Sequence, residues 1–543
     1  MTRNVADLVG SLLAELGVGH AFGVVGSGNF EVTNSLRAHG VPFVAARHEN
    51  GAASMADGYT RCGSRPAVVS VHQGCGLTNA ITAITEAAKS RTPMVVLAAE
   101  TASSAVNSNF RIDQDALVRS VGAVAERVHG ATSAVTDVTR AYRTAVQGRR
   151  TVVLNLPLDV QSAAAPDVLT SPRLSPPLPV RPAAAAVEAL VALLDAAERP
   201  VFVVGRGGRS AGADISALGE KCGALLATSA VANGLFGREE FNLGISGGFS
   251  APLAAELISH ADLVVGWGCA LNMWTMRHGS LIGAEATVVQ VDLDEAALGA
   301  HRAVDLGIVG DTAATARDAL PLIAEKVGYR TAAVSARLTR GRWWNDTPTE
   351  DLSTDHRVDP REFSRLLDRL LPPERVVSVD SGNFMGYPSA YLRVPDEFGF
   401  CFTQAFQSVG LGLASGIGAA LAQPDRLAVI ATGDGGFFMG ISELDTAVRA
   451  GLPIVIAVYD DAAYGAEVHH FGEDADLGAV RFPDTDIAAI ARGYGAVGVT
   501  VRNGGDLRAV EAWLHQPSGV LVIDAKIAND GGSWWLAEAF RGH

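Results

Sequence analysis

Short apolar runs rich in Val, Ile and Ala alternate with amphipathic stretches along all 543 residues of the chain. Strand-like and helix-like periods that alternate in this way specify α/β units with mostly parallel sheets, because parallel neighbours need a crossover that covers the sheet. The strand-like runs are 21–25, 67–71, 94–98 and 151–156, then 201–204, 263–266 and 288–291, then 376–379, 427–431 and 454–458. Two seams separate these groups. Residues 162–185 are dense in Pro and Ala and lack either period, as a surface-crossing linker does, and a more polar stretch runs from about 331 to 357. Three domains of similar size are expected, 1–165, 186–330 and 356–543, which fits the length.

Composition narrows the function classes. With 48% hydrophobic and 19% charged residues the chain has ample material for packed cores. Its formal charge of −15 repels phosphate backbones and anionic headgroups, so neither nucleic acid nor a membrane surface is an expected partner. The acidity lies in the last third, since the net charge is −12 over 351–543 and +2 over 1–165. Five scattered cysteines form no C-x-x-C pair, and residues 1–10 lack a basic stretch followed by an apolar one, so a cytoplasmic location is expected. None of the four lysines stands in a segment that reads as a site, which disfavours Schiff-base chemistry.

The most informative segment is 427–465. An apolar strand runs into Thr432-Gly433-Asp434-Gly435-Gly436, a helix-like stretch follows, and a second strand ends in Asp460-Asp461-Ala462-Ala463-Tyr464-Gly465. Glycines around an aspartate at a strand tip let the backbone approach a phosphate, and the following helix turns its N-terminus toward the anion. A right-handed crossover sets the two strand tips side by side, which brings Asp434 and Asp461 together as oxygen ligands for Mg²⁺ shared with a phosphate. A second segment, Arg47-His48-Glu49 followed by Ala52, Ala53 and Ala56, describes a tightly packed helix whose first turn carries an acid.

With both segments in view, the chain resembles the thiamine-diphosphate-dependent decarboxylases and carboligases, the family of acetolactate synthase, pyruvate decarboxylase, benzoylformate decarboxylase and benzaldehyde lyase. The resemblance runs through Arg47 to Tyr59, 152–161, 261–268 with Val291-Asp292-Leu293-Asp294, and Gly433 to Asp461. It implies an aminopyrimidine-binding domain, a central domain and a diphosphate-binding domain. Thiamine diphosphate and Mg²⁺ are the implied cofactors, and a homodimer or homotetramer is the implied assembly. Glu49 matches the glutamate that hydrogen-bonds the aminopyrimidine ring. Val409 matches the apolar residue that props the cofactor bent, though it is shorter than the methionine or leucine often found there. Asp434 matches the metal aspartate, and Asp461 replaces the usual asparagine. The Ala463 carbonyl is the implied third protein ligand. Gly433, Gly435, Gly436 and Tyr464 fall in the same cofactor-facing segments, as do Ser381, Gly382 and Asn383, which equally suit a plain strand-ending turn.

Substrate residues are read the same way. His72 and Gln73 follow a strand, where ligands gather in such sheets, and His72 resembles a histidine of benzoylformate decarboxylase. Gln114 resembles a glutamine of acetolactate synthase, and Glu467 occupies the position of a catalytic glutamate in pyruvate decarboxylase. Ser27 stands where pyruvate decarboxylase has an aspartate, but benzoylformate decarboxylase also has a serine there, which together with His72 keeps simple decarboxylation open, and the stretch after Tyr464 lacks the Arg and Trp of acetolactate synthase. Gly205-Arg206-Gly207-Gly208 is an incomplete dinucleotide fingerprint, so a central flavin or nucleotide, which the resemblance leaves open, has no support from the residues. The expected reaction is decarboxylation of a 2-oxo acid followed by transfer of the carbanion-enamine to a second carbonyl. The alternative ends by protonation and release of an aldehyde.

Overall fold

The computed structural model describes residues 3–166, 174–531 and 534–539, so part of the expected 162–185 linker lies outside the described residues. Three six-stranded sheets follow one another along the chain, and every strand pair in them is parallel. The first holds β1 (His20–Gly23), β2 (Phe43–Ala45), β3 (Ala67–Val71), β4 (Met94–Glu100), β5 (Val124–Arg127) and β6 (Thr151–Pro157) in the order β2-β1-β3-β4-β6-β5. The second holds β7 (Pro200–Val204), β8 (Leu225–Thr228), β9 (Asn242–Ile245), β10 (Leu263–Trp267), β11 (Thr287–Asp292) and β12 (Leu306–Val309), ordered β12-β11-β10-β7-β8-β9. The third holds β13 (Arg375–Val379), β14 (Phe400–Phe402), β15 (Leu427–Gly433), β16 (Ile454–Asp460), β17 (Val497–Val501) and β18 (Val520–Lys526), ordered β14-β13-β15-β16-β18-β17.

The outer sheets therefore share one topology and the central sheet has another. In both outer sheets the chain reverses its direction of travel between the first and third strands, and the crevice beyond those carboxyl ends is where such sheets bind ligands. The central strands are continuous buried runs of Val, Ile, Leu and Ala, as expected of sheets covered on both faces.

What joins the outer units is a close helix crossing. Helix Glu49–Cys62 lies on helix Gly412–Ala422, and a Cβ at Gly418 would stand 1.9 Å from the Met55 carbonyl oxygen, while one at Gly58 would stand 2.1 Å from that of Ser415. Only glycine admits that approach. One apolar core then runs through both units, with Met55, Leu77 and Ile84 packed among Leu413, Ile417 and Phe437. Beside it, Arg61 bridges Asp57 and Glu86 and donates to the Phe402 carbonyl.

The central unit is tied to this joint by the glycine turn after β7. Arg206 donates to the Ser90 carbonyl, and Arg209 donates to the carbonyls of Arg61 and Glu397. The turn is thus committed to interdomain contact. The polar seam near 331–357 is not all linker: it contains helix Ala332–Gly341, capped by Thr331 and anchored by buried Val334 and Leu338. Among the described residues no helix is long and apolar enough to cross a membrane.

Candidate active site

The crevice of the first sheet is built from two loops, one after β1 and one after β3. Asn29 ties the first loop down, its side chain accepting from Gly26 N at 2.8 Å and donating to Ser70 Oγ at 3.0 Å. The loop then closes on the second: a Cβ at Gly26 would lie 2.4 Å from the His72 ring, and one at Gly28 only 1.8 Å from Gln73 Oε1. His72 Nε2 stands 3.4 Å from Ser27 Oγ, and its ring meets the edge of Phe110 with centroids 5.1 Å apart. Gln73 is buried, and its Oε1 lacks a hydrogen-bond partner among the described residues.

Glu49 opens its helix behind the cap of His48, whose Nδ1 accepts from Asn50 N at 3.1 Å. Asn79 Nδ2 donates to Glu49 Oε2 at 3.0 Å. The other oxygen, Oε1, faces the Cβ position of Gly76 at 3.5 Å, and His72 Cβ borders the same position at 3.2 Å. Glu49 and His72 therefore share one corner, kept open because residue 76 has no side chain.

Gln114 is placed differently from the sequence expectation of a substrate-facing group. It is buried, accepts from Gly74 N at 2.9 Å, and donates to Asn155 Oδ1 at 2.7 Å and to Ala99 O at 3.2 Å. Its amide is fully committed to the turn that carries His72 and Gln73, so it holds that turn in place.

In the third sheet the crevice lies between β13 and β15. Asp380, fully buried after β13, was not singled out by the sequence. Its carboxylate accepts from Ser381 N at 2.8 Å, Gly410 N at 3.1 Å, Leu411 N at 3.2 Å and Thr432 Oγ1 at 3.2 Å. Burial pushes it up to about 6 against those bonds. One side chain thus fixes the loop that displays half-exposed Val409, the turn of Ser381 and the approach to Asp434. Ser381 Oγ is 3.1 Å from Gln404 Oε1, Gly382 has φ of 138°, and the buried Asn383 accepts from Trp535 Nε1 at 3.0 Å through its carbonyl.

Asp434 begins helix Asp434–Gly440 at the end of β15 and is buried. Gly433, Gly435 and Gly436 keep the backbone bare around it: a Cβ at Gly436 would stand 2.4 Å from Asp380 Oδ2, and one at Gly435 2.8 Å from the Tyr464 ring. Burial, then the charges of Asp461 and Asp460, push Asp434 up to about 8, and burial with Asp460 pushes Asp461 up to about 6. Asp461 Oδ1 accepts from Ala463 N at 3.2 Å. The hydrogen bonds from Tyr464 N to Val480 O and from Phe482 N to Ala462 O flank Ala463, leaving its own carbonyl outside that pairing. Asp434, Asp460 and Tyr464 border a cavity of 510 Å³, while Asp461, Ala463 and Asn383 border a second of 280 Å³.

Like-charged carboxylates with raised proton affinity, Asp434 buried and Asp461 half-buried, form an all-oxygen donor set that suits a hard divalent cation. Among the described residues no three or more His, Cys, Asp or Glu side chains gather into a metal cage, so two carboxylates and a carbonyl could hold such an ion only with a ligand's oxygens completing its shell. Glu467 lies half-buried in the first turn of helix Gly465–Phe471, beyond Tyr464. A second residue the sequence did not single out, Glu443, links the two crevices. Its buried carboxylate accepts from Arg47 N at 3.2 Å and His48 N at 2.9 Å, which fixes the segment that leads into Glu49.

Comparison with known proteins agrees with this division. Residues 3–118 match the N-terminal TPP binding domain of thiamine pyrophosphate enzymes, 187–319 match their central domain, and 380–525 match their C-terminal TPP binding domain. A sulfoacetaldehyde acetyltransferase of Rhodobacter capsulatus is 29% identical over 98% of this chain and 94% of its own length. A protein of Pseudomonas aeruginosa named "Probable 2-ketoarginine decarboxylase" is 29% identical over 95% and 93%. The acetolactate synthase of Bacillus subtilis is 27% identical over 96% and 93%. With all three domains matched in order and the paired crevices in place, the chain belongs to the thiamine pyrophosphate enzyme family.

Proposed function

We propose that this enzyme decarboxylates a 2-oxo acid and transfers the remaining fragment to a second carbonyl, with release of an aldehyde as the competing outcome. Thiamine diphosphate, when bound, supplies the electron sink that such a decarboxylation requires. Asp434, Asp461 and the Ala463 carbonyl hold Mg²⁺, while Ser381, Gly382 and Asn383 approach the diphosphate. Val409 props the ring system, and Glu49 Oε1 holds a proton against the aminopyrimidine. His72 orients the substrate, with Gln73 beside it and Ser27 against its ring.

The observation that carries ligation over simple decarboxylation is that a hydroxyl, Ser27 Oγ, and not an acid stands against the His72 ring, at 3.4 Å from Nε2. Proton delivery from that side, left to the His72 imidazole without an acid beside it, is less efficient, so the fragment survives long enough to meet an acceptor. The relatives include proteins named as a transferase and as a synthase, in keeping with this outcome, and one named as a probable decarboxylase, in keeping with the competing one.

Glu467 is then the principal proton donor. Glu467→Gln should lower aldehyde release by about a hundredfold, the usual worth of a positioned acid, and leave hydroxyketone formation with an added acceptor aldehyde nearly intact. Mass analysis of products from single 2-oxo acids, with and without acceptor, measures both. Rapid aldehyde formation with every donor and no hydroxyketone with any acceptor would replace the ligase assignment by the decarboxylase one.

The extra charge at the metal site has its own consequence. Asp461→Asn keeps a ligating oxygen and removes one of the like charges that oppose assembly without metal. Calorimetric titration of thiamine diphosphate at graded Mg²⁺ should show a shallower Mg²⁺ dependence in this variant. Complete loss of cofactor binding would remove Asp461 from the ligand set.

Each crevice carries an exposed apolar rim, with Val25, Phe30 and Phe110 at the first and Val409, Phe438, Met439 and Phe482 at the third. A second copy of the chain, its first crevice facing the other's third, covers both rims and completes the site. Sedimentation velocity should find activity only in dimers or larger species, and an active monomer contradicts this.

A further inference from the structure

No lysine stands in a sequence motif of the site, yet Lys526 is 1% exposed at the end of β18 and lies against the candidate metal site. Its Nζ meets Asp460 Oδ2 at 2.5 Å, Asp484 Oδ1 at 2.6 Å and Asp524 Oδ2 at 3.3 Å, and donates to Thr485 O at 2.6 Å. Asp460 borders the same cavity as Asp434. Its other oxygen, Oδ1, accepts from Ala462 N at 2.9 Å, and its carbonyl accepts from Arg357 Nη1 and Ile527 N. Ala462 has φ of 56°, a left-handed conformation that an alanine does not adopt unaided. The residues on either side of it are Asp461 and Ala463.

These contacts form one chain from Lys526 through the Asp460 carboxylate to the Ala462 amide. Asp434 and Asp460 border one cavity and Asp461 the adjoining one, and a diphosphate held there would add further negative charge. Only one of the neighbouring pair 460 and 461 is needed as a ligand, and the other is the one that Lys526 contacts. We propose that Lys526 is a positioning residue for the metal and diphosphate site. It pairs with Asp460, with Asp484 and Asp524 sharing its charge, and by fixing the Asp460 carboxylate holds the left-handed turn at Ala462 that presents Asp461 and the Ala463 carbonyl.

This inference rests on the metal-diphosphate reading above, so its test keeps the two apart. The alternative is that Lys526 only anchors the start of helix Ile487–Gly493, whose Ile487 N donates to Asp524 at 3.1 Å. The full-length variants Lys526→Met and Lys526→Met/Asp460→Asn separate these, since the second substitution removes the charge at Asp460 alone, keeps an amide oxygen that accepts from Ala462 N, and leaves Asp524 unpaired as in the single variant.

Thiamine diphosphate binding at fixed Mg²⁺ is measured by calorimetry, and amide hydrogen exchange at Ala462 and Tyr464 is measured in protein without cofactor. Lys526→Met should bind the cofactor about tenfold or more weakly and exchange both amides faster, because removing one partner of a buried pair leaves a charge uncompensated. The double variant should regain slow exchange at both amides and part of the cofactor binding, since the charge next to the turn is gone, while Asp524 and the exposed Asp484 lack their cation equally in both variants. If Lys526→Met fails to fold, a double variant that folds and binds supports the same conclusion. Unchanged binding and exchange in Lys526→Met overturn it, as does a double variant as impaired as the single one. If the parent protein takes up no cofactor with Mg²⁺, the cofactor assignment falls, and the exchange comparison still decides the role of Lys526.

Discussion

Glu49→Gln should leave the protein folded and able to bind thiamine diphosphate while lowering turnover by about a hundredfold or more, the range that a positioned acid or base contributes. The two oxygens of Glu49 have different surroundings. Oε2 is held by Asn79 Nδ2 at 3.0 Å, whereas Oε1 faces the open corner at Gly76. A glutamine that keeps its carbonyl oxygen toward Asn79 preserves the fold contact and presents an amide nitrogen at the corner. The side chain then has the same shape and no longer accepts a proton there. Glutamine also keeps the helix start, because the cap is His48 and not Glu49. Calorimetry of cofactor binding and steady-state turnover on the same preparation separate the two effects. Turnover equal to the parent enzyme removes Glu49 from the chemistry.

Recognition of strands from the sequence mostly followed burial, although β8, interior and buried over its four residues, is not among the anticipated runs. The strands anticipated from their apolar runs are ones whose neighbours bury them on both sides, such as β3, β4, β15 and β16. None of the six edge strands, β2, β5, β9, β12, β14 and β17, is among them. An edge strand pairs along one side only, and these are short or partly exposed: β2 and β14 have three residues each, and β5 is half-buried throughout. Their sequences therefore lack the sustained apolar run that a central strand needs. β18 is buried along its whole length, but Asp524 and Lys526 interrupt its hydrophobic pattern because they pair with each other and with Asp460.

The same distinction governs the site. Glu49, Asp434 and Asp461 stand in local motifs, where the glycines or small residues that make room for them lie within a few positions. Asp380, Glu443 and Lys526 act on partners far along the chain, with 30 residues between Asp380 and Gly410, 396 between Arg47 and Glu443, and 66 between Asp460 and Lys526. No spacing rule reaches that far, so such residues emerge only when the sheets are assembled. Gln114 shows the converse. Its resemblance to a glutamine of acetolactate synthase implies a substrate contact, whereas the structure buries it with its amide bonded to Gly74 N, Asn155 and Ala99.

Asp434→Ala should abolish Mg²⁺-dependent binding of thiamine diphosphate, a loss beyond the roughly 10–100-fold typical of groups that only support a ligand. The same substitution should stabilise the protein in the absence of metal. Asp434 is buried, and desolvation together with the charges of Asp461 and Asp460 pushes it up to about 8. An acid whose folded value is raised binds its proton more tightly in the folded state than in the unfolded one. Its ionisation therefore opposes folding progressively as pH rises from the ordinary carboxylate range to about 8. The metal-free stability gained by Asp434→Ala should accordingly be absent near pH 4, where the group is neutral in the fold, and greatest above pH 8, where the parent protein carries the full charge. Thermal melts across that range without Mg²⁺, paired with cofactor titrations in its presence, read the two effects on one variant. A residue that served only to pack the start of helix Asp434–Gly440 would lose stability at every pH and would not separate the two readouts. Cofactor binding that survives in Asp434→Ala at ordinary Mg²⁺ is the result that removes this carboxylate from the ligand set.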